Sequence, residues 1–215
     1  KFLPGMLEEN RVTLAYLITG IIGSGNVQLR KIAGKVVYQG KETSLVERFR
    51  RFLRNGNIVV KAEFIPFAEL ILSGLSREQL VLAIDTTKVG GRCICLMVSV
   101  VYKSRALPLC WVVFKGRKGH SSAQIQLALL KTLQSLLPAD REVIILGDGE
   151  FDGSELVGWF KQQTDWRFVC RTANSTKVKY QEAWLSLSEL ELGAGEETFL
   201  KDIIFTQSRP VTSLN

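Results

Sequence analysis

Asp85 and Asp148 each stand at the end of a short apolar run. Leu80-Val81-Leu82-Ala83-Ile84 leads into Asp85, and Val143-Ile144-Ile145-Leu146 leads through Gly147 into Asp148. Runs of this length with β-branched residues read as buried strands. A carboxylate at a strand end sits at the rim of a sheet, where open α/β folds place their chemistry. Two carboxylates brought together repel unless cations lie between them. Hard oxygen donors suit Mg2+ or Mn2+, and two such ions about 3.5–4 Å apart serve phosphodiester chemistry. All of this requires the two strands to be neighbours. The alternative is that each aspartate simply caps a loop.

The surrounding pattern supplies the neighbours. Strands are expected at Leu80–Asp85, Arg92–Tyr102 and Leu107–Phe114, joined by short links. A basic loop, Lys115-Gly116-Arg117-Lys118-Gly119-His120, leads to a helix capped by Ser121 or Ser122 and running to about Leu137. A fourth strand is expected at Glu142–Leu146, a helix from about Gly153 to Gln163, and a fifth strand at Trp166–Arg171. Short links make the first three strands antiparallel, and right-handed crossovers add the last two in parallel. The order β-β-β-α-β-α-β is that of a ribonuclease H-like α/β core, a mixed five-stranded sheet in the order 3-2-1-4-5. Strands one and four then lie side by side, with Asp85 and Asp148 at the same end. Gly147 and Gly149 would let the chain turn sharply around Asp148.

The first part of the chain reads as all-helical. Helices are expected at Leu7–Ile22, at Val27–Val36 behind an Asn26 cap, and at Leu45–Leu53 behind Thr43 or Ser44. The third puts Val46, Phe49 and Leu53 on one side and Arg48 and Arg51 on the other. Three short helices with a basic third one suit a helix-turn-helix, and equally an ordinary bundle with a solvated basic face. Residues 1–57 thus form a helical DNA-binding candidate, 58–79 a connecting helix, 80–176 the α/β core, and 177–215 a separate segment.

Charge favours a polyanionic partner. The net charge is +7, and the distribution is uneven. Residues 1–60 hold ten Lys/Arg against four acids, residues 80–135 eight against one, and residues 182–215 two against six. Two basic blocks around a carboxylate pair suit an enzyme of nucleic acids. Lys115, Arg117 and Lys118 are candidates to track phosphates, and Arg171 ends the fifth strand beside the expected site. Glu150 and Asp152 flank the aspartate turn and either assist a metal or face solvent. The four cysteines lie in apolar runs without a CxxC pair, and with His120 alone a zinc site is not expected. Buried reduced cysteines suit a cytosolic protein. No apolar stretch reaches transmembrane length, so no membrane partner is expected. The four tryptophans fall in apolar periodicity and read as core.

Ala83-Ile84-Asp85-Thr86-Thr87, followed by Leu146-Gly147-Asp148-Gly149-Glu150-Phe151, resembles bacterial insertion-sequence transposases of the Asp-Asp-Glu class, insertion-sequence family four. Asp85 and Thr87 match an apolar-Asp-x-Thr context, and Asp148 and Phe151 match Asp-x-x-Phe/Tyr after an apolar strand. The helical Leu29–Ala33 and Val46–Leu53 stretches are also similar, so the likeness covers most of residues 5–175. The resemblance implies a bacterial, cytoplasmic and nucleoid-associated DNA transposase. Such an enzyme cleaves element ends and joins 3′-hydroxyls to target DNA, with Asp85 and Asp148 as catalytic residues and ligands of two Mg2+ or Mn2+ ions. Its implied partners are double-stranded inverted-repeat and target DNA and a second copy of the chain in the DNA complex. It also implies that 177–215 begins a β-rich insertion.

The family's glutamate lies in a Tyr-x2-Arg-x3-Glu-x6-Lys signature that has no match here. Tyr180 is followed by Ala183 and Leu187 where the arginine and glutamate should stand. Either the sequence stops short of the glutamate, which is the expectation, or a partner supplies it, or the protein binds DNA without cutting it. Ile84-Asp85-Thr86-Thr87 also faintly resembles the first phosphate loop of actin-like sugar kinases, but no second Gly-rich loop or adenosine motif accompanies it.

Overall fold

The computed structural model describes residues 3, 5–75, 78–117, 119, 121–206 and 211–214. The chain divides into two compact units, Lys1–Phe67 and Ala68–Asn215. The division falls just after Pro66, inside a helix, where a ring without an N–H removes one rung of the hydrogen-bond ladder.

In the first unit, α1 (Glu8–Ser24), α2 (Leu29–Ala33) and α3 (Glu42–Leu53) enclose Leu17, Ile32, Ala33, Leu45, Val46 and Phe49. Gly25, with φ at +59°, ends α1 by turning its N–H back to the Ile21 carbonyl, a conformation glycine adopts without strain. A Cβ on Gly20 would lie 2.5 Å from the Ile32 side chain, so the glycine is what lets α1 and α2 touch. Two expected caps are displaced. Gln28, not Asn26, holds the cap of α2, while Asn26 accepts the Gln28 N–H through its Oδ1 at 2.9 Å. Lys41 holds the cap of α3, so Thr43 and Ser44 lie inside the helix. Leu53 is exposed, because α3 ends there without reaching the core.

After α4 (Val60–Ser73), the second unit builds a mixed sheet from β1 (Gln79–Gly90), β2 (Cys93–Tyr102), β3 (Arg105–Lys115), β4 (Glu142–Gly147) and β5 (Arg167–Cys170). Its order is β3-β2-β1-β4-β5, as expected, with β4 and β5 parallel to β1. The crossovers are α5 (Ala123–Leu136) and α6 (Ser154–Gln163). Leu80, Leu82 and Ile84 alternate into the core beside Val143 and Ile145, with Leu129, Leu130, Leu133 and Leu156 supplied by the helices. Pro108 is tolerated because β3 is an edge strand and pairs across a bulge there. The tryptophans are half-buried rather than core, and Trp159, Trp166, Phe160 and Phe168 stack into one aromatic cluster.

A second, antiparallel sheet, in the order β7-β6-β8-β9, follows. It comprises β6 (Lys177–Tyr180), β7 (Ala183–Ser186), β8 (Ile203–Phe205) and β9 (Val211–Leu214). It begins at the residue where a β-rich segment was expected. No helix among the described residues is long and apolar enough to cross a membrane.

Candidate active site

β1 does not end at Asp85. It continues to Gly90 because β2 keeps pairing with it, from Asp85↔Met97 through Gly90↔Cys93. What ends near Asp85 is the pairing with β4, whose last rung is Ala83↔Leu146. Asp85 and Asp148 each lie two residues beyond that rung. By residue count the two positions therefore follow the last shared rung equally, at the same end of neighbouring strands. Both aspartates are exposed.

Each aspartate is oriented by its own backbone. Asp85 Oδ1 accepts the Thr86 N–H at 2.8 Å, and Asp148 Oδ1 accepts the Glu150 N–H at 3.0 Å, an Asx-turn. Among the described residues, the second oxygen of each carboxylate has no protein donor. The Asp148 turn closes through the Phe151 N–H to the Asp148 carbonyl at 3.0 Å, and the Phe151 ring is fully buried. The glycines serve this turn differently from the sequence expectation. Neither Gly147 nor Gly149 has positive φ. A Cβ on Gly147 would approach Phe151 Cβ to 3.1 Å, so Gly147 is needed for close packing rather than for a sharp bend.

Glu150 is neither a solvent-facing turn residue nor a free ligand. Its Oε2 accepts the Thr86 hydroxyl at 2.6 Å, and its Oε1 accepts the Ser121 N–H at 2.9 Å and the Ser121 hydroxyl. Partial burial alone would raise its pKa. The bonds from Ser121 and Thr86 and the backbone of Ser121 and Gly119 outweigh that and hold the carboxyl below its ordinary value. Gln126, buried in α5, donates to Ser121 Oγ at 2.9 Å and to the Glu150 carbonyl at 3.4 Å. Asp152 is likewise engaged, accepting the Thr172 hydroxyl. Thr86 was legible in hindsight: it sits on the buried parity of β1 after Leu80, Leu82 and Ile84, and a buried hydroxyl requires a partner.

Cys170 closes the other side of the turn, its thiol donating to the Asp148 carbonyl at 3.1 Å. Burial, with Asp152 and Asp148 nearby, pushes this thiol up to about 12, which leaves it protonated and unreactive at neutral pH. Arg171 extends the β4–β5 ladder through its N–H to the Gly147 carbonyl at 3.2 Å, and its side chain is exposed. Lys115 and Arg117 are exposed at the same end of the sheet, since β3 runs parallel to β1. Lys118 and His120 lie outside the described residues.

In the helical unit the two arginines differ. Arg48 Nε donates to Thr13 Oγ1 at 2.7 Å and its Nη2 to the Glu9 carbonyl at 3.1 Å, with the guanidinium over the Tyr16 ring. It thereby ties α3 to α1. Arg51 is exposed, without a hydrogen bond or ion pair to a described residue, on a cavity of about 670 Å³ bordered also by Asn10, Tyr38 and Asn55.

As a donor set, Asp85 and Asp148 offer hard, exposed oxygens that suit a divalent cation in kind. They fall short in number: among the described residues no three His, Cys, Asp or Glu side chains gather closely enough to hold a metal ion. The four cysteines are free thiols, Cys95 and Cys110 buried and Cys93 and Cys170 half-buried. Compared with known protein families and with curated proteins, the chain matches none.

Proposed function

We propose that this chain is part of a DNA transposase that cleaves element ends and joins their 3′-hydroxyls to target DNA. The observation that carries the reading is the β1–β4 register, in which Asp85 and Asp148 stand equally far beyond the Ala83↔Leu146 rung. The mixed sheet in the order β3-β2-β1-β4-β5 is that of a ribonuclease H-like core and supports it further. So does the likeness of both aspartate contexts to insertion-sequence family four.

Asp85 and Asp148 would hold Mg2+ or Mn2+ through the carboxylate oxygens that the backbone leaves free. Bound there, two ions would supply Lewis-acid activation of the attacking water or 3′-hydroxyl and of the leaving oxygen. Arg171, Lys115 and Arg117 would bind phosphates at that end of the sheet, Lys118 would add a further cation, and Arg51 would bind phosphate on the helical unit. Arg48 supports the reading only indirectly, because its Nε and one Nη2 proton hold Thr13 and the Glu9 carbonyl inside the bundle.

The third carboxylate is proposed to come from an element packed over the sheet face that carries Leu146, Val113 and Val169. These are 37%, 52% and 57% exposed, high values for apolar strand residues. A second reading, a transposase-derived protein that binds DNA without cutting it, draws on the exposed cations Lys115, Arg117 and Arg171, which such a protein would need equally.

The test is a nicking assay with Mg2+ or Mn2+ on element-end DNA, using the chain together with any segment encoded downstream of it. Metal-dependent nicks that Asp85→Ala and Asp148→Ala each reduce at least about a thousandfold, with DNA binding retained, support the enzyme. Tight binding with no nicks supports the second reading.

A further inference from the structure

We propose that Glu150 is a positioning residue, a carboxylate latch that fixes Ser121, where the basic loop meets α5, and the outer part of β1 to the Asp148 turn. The proposal rests on the reading that loop and carboxylates act on the same DNA. Its geometric basis is independent of that reading.

Three separate segments meet on one side chain. Thr86 comes from β1, one residue past Asp85, and lies 64 positions before Glu150. Ser121 comes from the far end of the basic loop, 29 positions before. Glu150 itself is two residues past Asp148, and its N–H holds the Asp148 carboxylate. The loop's near end is also held, by the Gly116 N–H on the Arg92 carbonyl at 3.0 Å. Arg117 therefore follows directly on one tie, at Gly116, and the tie at Ser121 is made to the turn that presents Asp148.

The chemistry of the contacts argues for a latch rather than a spare ligand. Both Glu150 oxygens are committed, one to Thr86 and one to Ser121, so the group is not available to a metal without breaking the network. Thr86 is buried, and its neighbour's carboxylate, Asp85, is exposed. A shift of Glu150 would thus be felt on β1 beside Asp85, at the Asp148 turn and at the loop together. Ionic acceptors make stronger hydrogen bonds than neutral ones, so one carboxylate serves three segments where an amide would serve fewer.

The test uses the whole chain and begins without DNA. Amide hydrogen exchange is compared for the wild type, Glu150→Ala and Glu150→Gln. The expected result is that the Ser121 amide exchanges at least tenfold faster in Glu150→Ala, while Leu82 and Ile145 in the sheet keep their protection. Glu150→Gln, which keeps the size and one acceptor, should fall between, and it carries the test if the alanine variant does not fold. Unchanged exchange at Ser121 in the folded variants overturns the latch.

A double-mutant cycle on double-stranded DNA of mixed sequence, read by fluorescence anisotropy, then asks whether the latch positions Arg117. Arg117→Ala and Glu150→Ala should each weaken binding several-fold, and the double variant should be no weaker than Glu150→Ala alone. Independent, multiplying losses overturn the positioning role, which a merely stabilising residue would also give. If Arg117→Ala leaves wild-type DNA binding unchanged, the DNA reading of the loop fails, while the exchange result still decides the latch.

Discussion

The helical unit and the rim of the five-stranded sheet both carry charged residues in patterns that suit DNA, yet they use them in opposite ways. In the helices, the arginine that faces Thr13, Arg48, is consumed as scaffold, and the next-turn arginine, Arg51, is left to solvent. At the rim the cations Lys115, Arg117 and Arg171 are exposed and it is a carboxylate, Glu150, that is consumed. Two residues away, Asp148 keeps an oxygen free. The difference teaches that a charge is available for function only when the fold has not already found it a partner. Helix α3 needs a tie to α1 and spends a cation; the rim needs a tie between loop and turn and spends an anion.

The largest effects should come from the apolar anchors beneath each region. Phe49→Ala in the helical core and Phe151→Ala under the Asp148 turn should each cost about 3–5 kcal/mol in chemical denaturation. The comparison breaks if the Phe151 variant matches the wild type, since the turn would then not depend on its buried ring. Arg48→Ala should cost about 1–2 kcal/mol and Arg51→Ala less than about 0.5, because only the first loses charge-assisted bonds. Equal losses would erase the distinction between the two arginines.

Smaller still is a pH effect at the rim. The Glu150 carboxyl titrates below its ordinary value of 4.5 in the folded chain. A depressed pKa means that the unfolded state binds the proton first, so the stabilisation is complete above about pH 4.5 and is lost as pH falls through the folded value. Glu150→Gln should therefore show a shallower loss of stability below pH 4.5 than the wild type, and parallel acid limbs would contradict it. Cys170 gives the smallest change of all: iodoacetamide at pH 8 should alkylate it far more slowly than an exposed thiol, because its pKa is pushed up to about 12.

Much of the fold was legible because its signals are local and repetitive. The apolar runs before Asp85 and Asp148 gave strands, and short links with two helical crossovers left one simple sheet order, the one observed. A β-rich segment from Lys177 was expected only from the family resemblance, and the second sheet begins there. Helix starts were less so, since Asn26, Thr43 and Ser44 are good cap residues and the chain caps at Gln28 and Lys41 instead. The end of β1 was misjudged because only β4 departs near Asp85, and pairing with β2 carries the strand on to Gly90. The level of Asp85 and Asp148 follows from strand order. The roles of Arg48 and Glu150 do not, because they depend on partners 29 to 64 positions away that no local pattern announces.

The most direct test of the carboxylate pair is a Mn2+ titration of the isotopically labelled chain, followed by paramagnetic broadening of backbone amides. Broadening should begin at Thr86, Gly149 and Glu150, beside both aspartates at once. Asp85→Asn and Asp148→Asn should each remove it at both places, because one site needs both carboxylates. Broadening that starts elsewhere, or that survives at one aspartate when the other is replaced, would contradict a shared cation site.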